Sequence, residues 1–235
     1  MFERKKFKSA ALAQLKGRWK IPVLATLLTC TLLWIFIAAT STRYLRDKIF
    51  VVNQQNYASV FVSYTPSQIS EILGIVLGAV ATIFTVALLS VHNTMLKERR
   101  QIYFSDFTNG LNQWWQSFRG GLWFCLWVFL WSLLFFIPGI VKAYSYSMMF
   151  FIMAENPEIS VRKAMKISKE LTRGYKGELF ALDLSFIGWV ILALIPFGLG
   201  IIWLVPYMLM TRTNVYQYLK QAALDTNRVS LTDFE

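Results

Sequence analysis

Residues 137–189 read IPGIVKAYSYSMMFFIMAENPEISVRKAMKISKELTRGYKGELFALDLSFIGW. Pro138-Gly139 is a tight turn between two apolar runs, 121–137 and 141–154. A polar segment, 155–177, follows with six Lys and Arg, and a third apolar run starts at 178. Within the polar segment Ser160 can cap a helix running to Thr172. Val161, Ala164, Met165, Ser168 and Leu171 fall on one face of that helix, opposite Arg162, Lys163, Lys166 and Lys169. Apolar hairpins joined by a basic amphipathic helix predict an all-α membrane protein.

The bulk composition agrees. The chain has 235 residues, 56% of them apolar and 16% charged, with nine Trp, whereas soluble domains run near one-quarter charged. Runs 21–40, 69–91, 121–137, 141–154, 178–195 and 199–213 meet or approach the roughly 20 apolar residues that cross a bilayer. The first is too long for the core of a signal peptide. The fourth, at 14 residues, is short of a full crossing by helical rise. The last two hairpins therefore read equally well as spanning or re-entrant.

Charge sets the topology. Seven Lys and Arg lie in 1–20, four in 92–119, six in 155–177 and three from Arg212 onward. Only Arg43, Arg46, Lys48 and Lys142 fall on the other side. That asymmetry places both termini in the cytoplasm. Residues 1–20 read as a short amphipathic surface helix ending near Gly17, 41–68 as an outer polar loop, and 214–235 as a polar tail, mobile at its end. Gly74, Gly78 and Ala81 suit close helix packing, and Trp114 and Trp115 suit an interfacial belt. The net charge of +11 belongs with anionic lipid headgroups rather than nucleic acid. The expectation is one multi-pass domain, 1–235, in the cell membrane.

A weak repeat accompanies the hairpins. LKGRWK at 15–20, FRGGLW at 118–123 and LTRGYKG at 171–177 each place a basic residue and a glycine where the chain enters an apolar run. A glycine there lets a surface helix turn sharply into a hairpin.

Catalytic motifs are missing from the sequence. His92 is the single histidine, placed at a helix end near the interface, and no nucleophile–base, zinc-ligand or phosphate-loop pattern is present. Cys30 and Cys125 lie apart inside apolar runs and suit neither a disulfide nor a thiolate site. No enzyme activity, cofactor or metal is expected.

Ionisable residues at bilayer depth are the remaining functional signal. Asp183 lies five residues into run 178–195, and Lys142 directly follows the Pro-Gly turn with Ser145 and Tyr146 on its helical face. In one reading Asp183 accepts hydrogen bonds from a neighbouring Ser, Tyr or a loop Arg near the inner interface while Lys142 reaches for outer headgroups. In the other, Lys142, Ser145, Tyr146, Asp183 and Ser185 line a polar cavity between hairpins. Full crossing separates Lys142 and Asp183 by about 17 Å in depth, and re-entry brings them together. Glu71 reads as an interfacial acid.

The same stretch carries a resemblance. Pro138, Gly139, Lys142, Tyr144, Ser145, Tyr146, Ser147, Glu155, Pro157, Ser160, Ser168, Gly174, Ser185, Phe186, Trp189, Pro206 and Tyr207, in this order and spacing, are similar to the bacterial membrane-protein family called domain of unknown function 975. LKGRW at 15–19 and the run after it also resemble the start of that family. The resemblance implies an integral membrane protein with several spans and carries over no activity. The expected role is that of a non-enzymatic membrane protein binding anionic lipid through Arg162, Lys163, Lys166 and Lys169, with a protein partner or second copy as further candidates. The alternative is a small transporter using the polar cavity.

Overall fold

The computed structural model describes residues 2–31, 68–98, 100–134, 136–195 and 198–234. The expected outer loop, the second half of run 21–40 and Pro196-Phe197 lie outside the described residues, as do the side chains of Glu71, Gly74 and Gly78. Among the described residues the chain is helical, with no strand. The helices are α1 (Arg4–Leu15), α2 (Lys20–Thr31), α3 (Gln68–Lys97), α4 (Phe104–Leu111), α5 (Trp114–Leu134), α6 (Phe136–Tyr146), α7 (Met149–Glu155), α8 (Val161–Leu171), α9 (Lys176–Leu184), α10 (Ile187–Leu194) and α11 (Ile201–Asp225). A 3-10 turn, Leu231–Phe234, ends the description.

Small residues let the helices approach. A Cβ on Gly121 of α5 would stand 2.4 Å from the Thr82 hydroxyl of α3, and one on Gly120 would stand 2.7 Å from Met153 of α7. The α5–α6 hairpin closes where Gly139 meets the Ser132 backbone, and the α10–α11 hairpin where Gly200 meets that of Ala193. The sequence repeat thus divides physically. Gly17 (φ +77°) and Gly174 (φ +85°) take the left-handed turn expected after a basic helix. Gly120 and Gly121 instead stay inside α5 and serve packing.

Two expected single helices are broken. Run 141–154 splits at Ser147-Met148, and run 178–195 at Ser185-Phe186. A helix break buried in protein frees backbone groups that need other partners. At the first break, Ser168 of α8 accepts a hydrogen bond from Met148 N (3.2 Å) and donates one to Ser145 O (2.9 Å). Thr172 adds a second donor to Ser145 O at 3.3 Å. Ser168 and Thr172 are fully buried, so α8 is held by its polar residues as firmly as by its apolar ones.

The basic helix is accordingly not a loose surface element. Ser160 caps it as expected, accepting from Lys163 N. Val161, Ala164, Met165, Ile167, Ser168 and Leu171 are all buried against the protein core, which leaves no apolar face to insert into lipid. What α8 shows outward is cationic: Arg162, Lys166 and Lys169.

The tail also differs from expectation. α11 continues to Asp225 because Val215, Tyr216, Leu219 and Ala223 pack into the core. Phe234 is buried under the Lys220 ammonium, 4.4 Å from its ring centre.

Among the described residues, Lys176–Leu194 is the stretch long and apolar enough to cross a membrane, and 22% of it is buried inside the protein. A core helix of a soluble protein would be mostly buried. Here Leu184, Ile187, Trp189, Ile191, Leu192, Leu194 and Ile195 are 49–72% exposed, an apolar wall facing outward.

Ser168→Ala is expected to lower stability by about 1–3 kcal/mol, because it leaves Met148 N buried without a partner. Lys166→Ala, on the exposed face, should fall within about 0.5 kcal/mol of wild type. Thermal unfolding of the purified protein in detergent separates the two.

Candidate functional site

Asp183 sits at the junction of three helices. The Arg212 guanidinium of α11 donates from Nε to Oδ1 (3.2 Å) and from Nη2 to Oδ2 (2.7 Å). Tyr144 of α6 donates its hydroxyl to Oδ2 at 3.0 Å. The pair is only partly screened, with side-chain exposures of 24% for Asp183 and 38% for Arg212. A two-pronged guanidinium fixes carboxylate orientation as well as charge. Asp183 is thus satisfied by a Tyr and an Arg, the Arg coming from a helix rather than from the loop expected.

The tyrosine is Tyr144 rather than Tyr146. Two residues turn a helix by roughly 200°, so Tyr144 faces α9 while Tyr146 is buried. Ser145 is buried too, its hydroxyl donating to Val141 O, and Ser185 donates to Leu182 O. Lys142 lies over the Trp131 ring of α5, 4.2 Å from its centre. The structure therefore brings Asp183 together with Tyr144 and Arg212, while Lys142, Ser145 and Tyr146 make separate contacts.

Lys142 is two residues from Tyr144, whose hydroxyl reaches Asp183, and it lies within electrostatic reach of Lys169, near the end of α8, and Lys176, at the start of α9. None of these three ammonium groups has a hydrogen bond or ion pair among the described residues.

Beside Asp183, the α9–α10 break exposes the Ser185 carbonyl. Lys8 of α1 donates to it at 3.1 Å and rests 3.9 Å from the centre of the Phe186 ring. The N-terminal helix is further fixed by a reciprocal amide pair between Gln14 and Asn214 of α11, at 3.0 and 2.8 Å. Arg18 donates to Met95 O at the end of α3.

Two polar features escaped the sequence reading. Glu155, at the end of α7, receives Lys97 (2.8 Å), Lys220 (2.9 Å) and the Tyr216 hydroxyl, with its side chain 6% exposed. Burial raises its pKa, but the hydrogen bonds from Lys97, Tyr216 and Lys220 outweigh that and hold it below the usual carboxylate value. Burial, with Glu155 beside it, pushes the Tyr216 hydroxyl well above its ordinary value. Three helices far apart in sequence meet here, and no local spacing announces them. His92 is the other feature. Expected at an interface, it is fully buried beside Pro206 of α11. Its Nδ1 faces Leu88 O at 2.6 Å, while Nε2 has no hydrogen bond of ordinary geometry among the described residues.

Among the described residues no three His, Cys, Asp or Glu side chains gather as metal ligands. A groove of about 320 Å³ opens between α1, α10 and α11, lined by Leu12, Trp19, Trp189, Leu192, Ala193, Gly200, Trp203, Leu204 and Tyr207. None of the five residues expected to share a polar cavity borders it.

Comparison with known proteins gives one match. Residues 133–223 fit the family model described as "Protein of unknown function (DUF975)". Every residue from Pro138 to Tyr207 that carried the resemblance falls in this range, whereas LKGRW at 15–19 falls outside it. No curated protein and no solved structure matches the chain significantly.

The coupling at Asp183 is testable. Asp183→Asn and Arg212→Gln are each expected to destabilise, and the double variant should be little worse than either, with a coupling of about 0.5–3 kcal/mol in a thermal-unfolding cycle. Additive losses would show the two residues to be independent.

Glu155 sets an acid limit. Its folded pKa is depressed, so its stabilisation is present above the unfolded value of 4.5 and is lost as pH falls through the folded value. The melting temperature should drop on acidification below that point. Glu155→Gln should melt lower at neutral pH and respond less to acid.

Proposed function

We propose, for a chain whose residues 133–223 carry the DUF975 domain, a non-enzymatic role in the cell membrane: binding anionic lipid headgroups at the cytoplasmic face. In this reading 21–40, 69–91, 121–137, 141–154, 178–195 and 199–213 form six membrane segments in three hairpins, the second of them re-entrant from the cytoplasmic side so that Lys142 comes to Lys169 and Lys176. Both termini are cytoplasmic, and the whole chain is one membrane domain.

The observation that carries the reading is the cluster of Lys142, Lys169 and Lys176. Lys169 and Lys176 each repel Lys142, none of the three has an acidic partner among the described residues, and an external anion relieves that repulsion. Arg162 and Lys166 extend the cluster along the outward face of α8, with Arg162 packed 5.2 Å from the centre of the Trp123 ring. Lys163 contributes less, since its ammonium reaches Thr232 O at 3.5 Å. The cluster adjoins the outward apolar wall of α9 and α10, which supplies the hydrocarbon-facing surface such a headgroup site needs. Each Lys or Arg near an anionic surface adds about 1 kcal/mol.

The competing reading, a small transporter, is supported less well. Its pathway residues are committed elsewhere: Asp183 to Arg212 and Tyr144, Ser145 and Ser185 to carbonyls of their own helices.

Two measurements test this reading. In a chain with Cys30 and Cys125 replaced by Ser, Leu199→Cys at the α10–α11 turn should react with an impermeant thiol reagent added outside intact cells. Ser230→Cys should react only after lysis. Reaction of both from one side would overturn the six-segment topology. Second, Lys142→Met/Lys169→Gln/Lys176→Gln, reconstituted in mixed zwitterionic and anionic phospholipid and re-extracted, should co-purify with several-fold less anionic lipid than wild type. Equal retention would remove the headgroup site.

A further inference from the structure

We infer that the groove between α1 and the α10–α11 hairpin holds one acyl chain of an anionic phospholipid, with its phosphate on the lysines of the α1–α2 corner. This rests on the reading that the hairpin stands in a bilayer, and it adds a second lipid site, separate from the Lys142 cluster.

The groove's volume, about 320 Å³, is in the range of ligand pockets, roughly 300–1,000 Å³. Its walls come from three places: Leu12 and Trp19 below, Trp189 and Leu192 from α10, Trp203 and Leu204 from α11. Apart from two kinds of ring-borne polar group, the indole N–H and the Tyr207 hydroxyl, the lining offers nothing that hydrogen-bonds. A peptide segment threaded there would leave its amides unsatisfied at a cost of several kcal/mol each, measured by transfer out of water. A hydrocarbon chain has no such groups. The groove also opens onto the exposed α10 wall, where Ile191 and Leu194 are 60% and 54% exposed. Entry is therefore through the apolar phase.

The cations sit at one end. Along α1, Lys5, Lys8 and Lys16 share the face of Leu12 at seven and four residues before it and four after. Lys20 directly follows Trp19. Lys8 is already committed to Ser185 O and Phe186, and Phe186 meets the groove residue Tyr207 edge-on at 5.4 Å. Lys5, Lys16 and Lys20 are exposed, and their ammonium groups have no hydrogen bond or ion pair among the described residues. Residues 1–20 hold a single acid, Glu3, against seven cations. An apolar slot ending at unpaired lysines is the complement of a lipid with a negative headgroup.

The test is native mass spectrometry of the full chain taken from bilayers of phosphatidylglycerol and phosphatidylcholine. Leu12→Trp and Leu192→Trp fill the groove from positions 48% and 56% exposed, so folding is not at risk, and an unchanged melting temperature checks this. Each should lose one tightly retained phosphatidylglycerol per chain. Lys16→Gln/Lys20→Gln should keep a lipid but lose its preference for phosphatidylglycerol about 25-fold, from roughly fivefold per lysine. Groove-filled variants that retain the lipid overturn the site, as does retention without headgroup preference. Loss of a second copy of the chain instead of a lipid overturns it in favour of self-association. The Lys142/Lys169/Lys176 variant keeps this lipid if the two sites are distinct. If that variant alone loses lipid, the groove inference fails and the headgroup reading stands. If the groove variants alone do, the reverse holds.

Discussion

A helix that stops frees N–H and C=O groups that need other partners, and much of this structure follows from two such breaks. At the α6–α7 break, Ser168 satisfies the Met148 amide and the Ser145 carbonyl together. At the α9–α10 break, Lys8 takes the Ser185 carbonyl. Neither partner is local: one belongs to α8, the other to α1. Backbone satisfaction is thus the reason two strongly basic helices are docked against apolar hairpins instead of lying free.

Docking by polar anchors changes what those helices can do. An amphipathic helix held to a membrane by its apolar face inserts that face into lipid. In α8 the face is consumed by the protein core, and charge alone remains outside. In α1, Ala11 and Leu15 are buried while Leu12 stays exposed beside lysines. The two helices therefore present different chemistry from similar sequences: a cation row in α8, and cations beside an apolar groove in α1.

Ion pairs mark where the helices converge. Arg212 and Tyr144 hold Asp183 at the level of the α9–α10 break, and Lys97, Tyr216 and Lys220 hold Glu155 at the α3–α7–α11 junction. α11 serves both nodes. Its residues 212 and 216 are four apart, on one face, so a single helix ties the two nodes together. Both acids are paired by cations from elsewhere in the chain, which removes the cost of an isolated charge in low dielectric.

Periodicity and charge by themselves determined the helical class, the apolar runs, the turns at Gly17 and Gly174, the Ser160 cap and the cationic face of α8, because each depends on residues within a turn or two of one another. The importance of Asp183 was legible for the same reason: an acid inside an apolar run is visible without any partner. Which residues answer it was not. Tyr144 and Arg212 come from 39 and 29 positions away, and the choice of Tyr144 over Tyr146 is a matter of helix rotation against a neighbour. Likewise the Glu155 node, the burial of His92 and the helical tail were decided only by tertiary packing, and a helix break such as that at Ser147 survives where a distant side chain satisfies the backbone it frees.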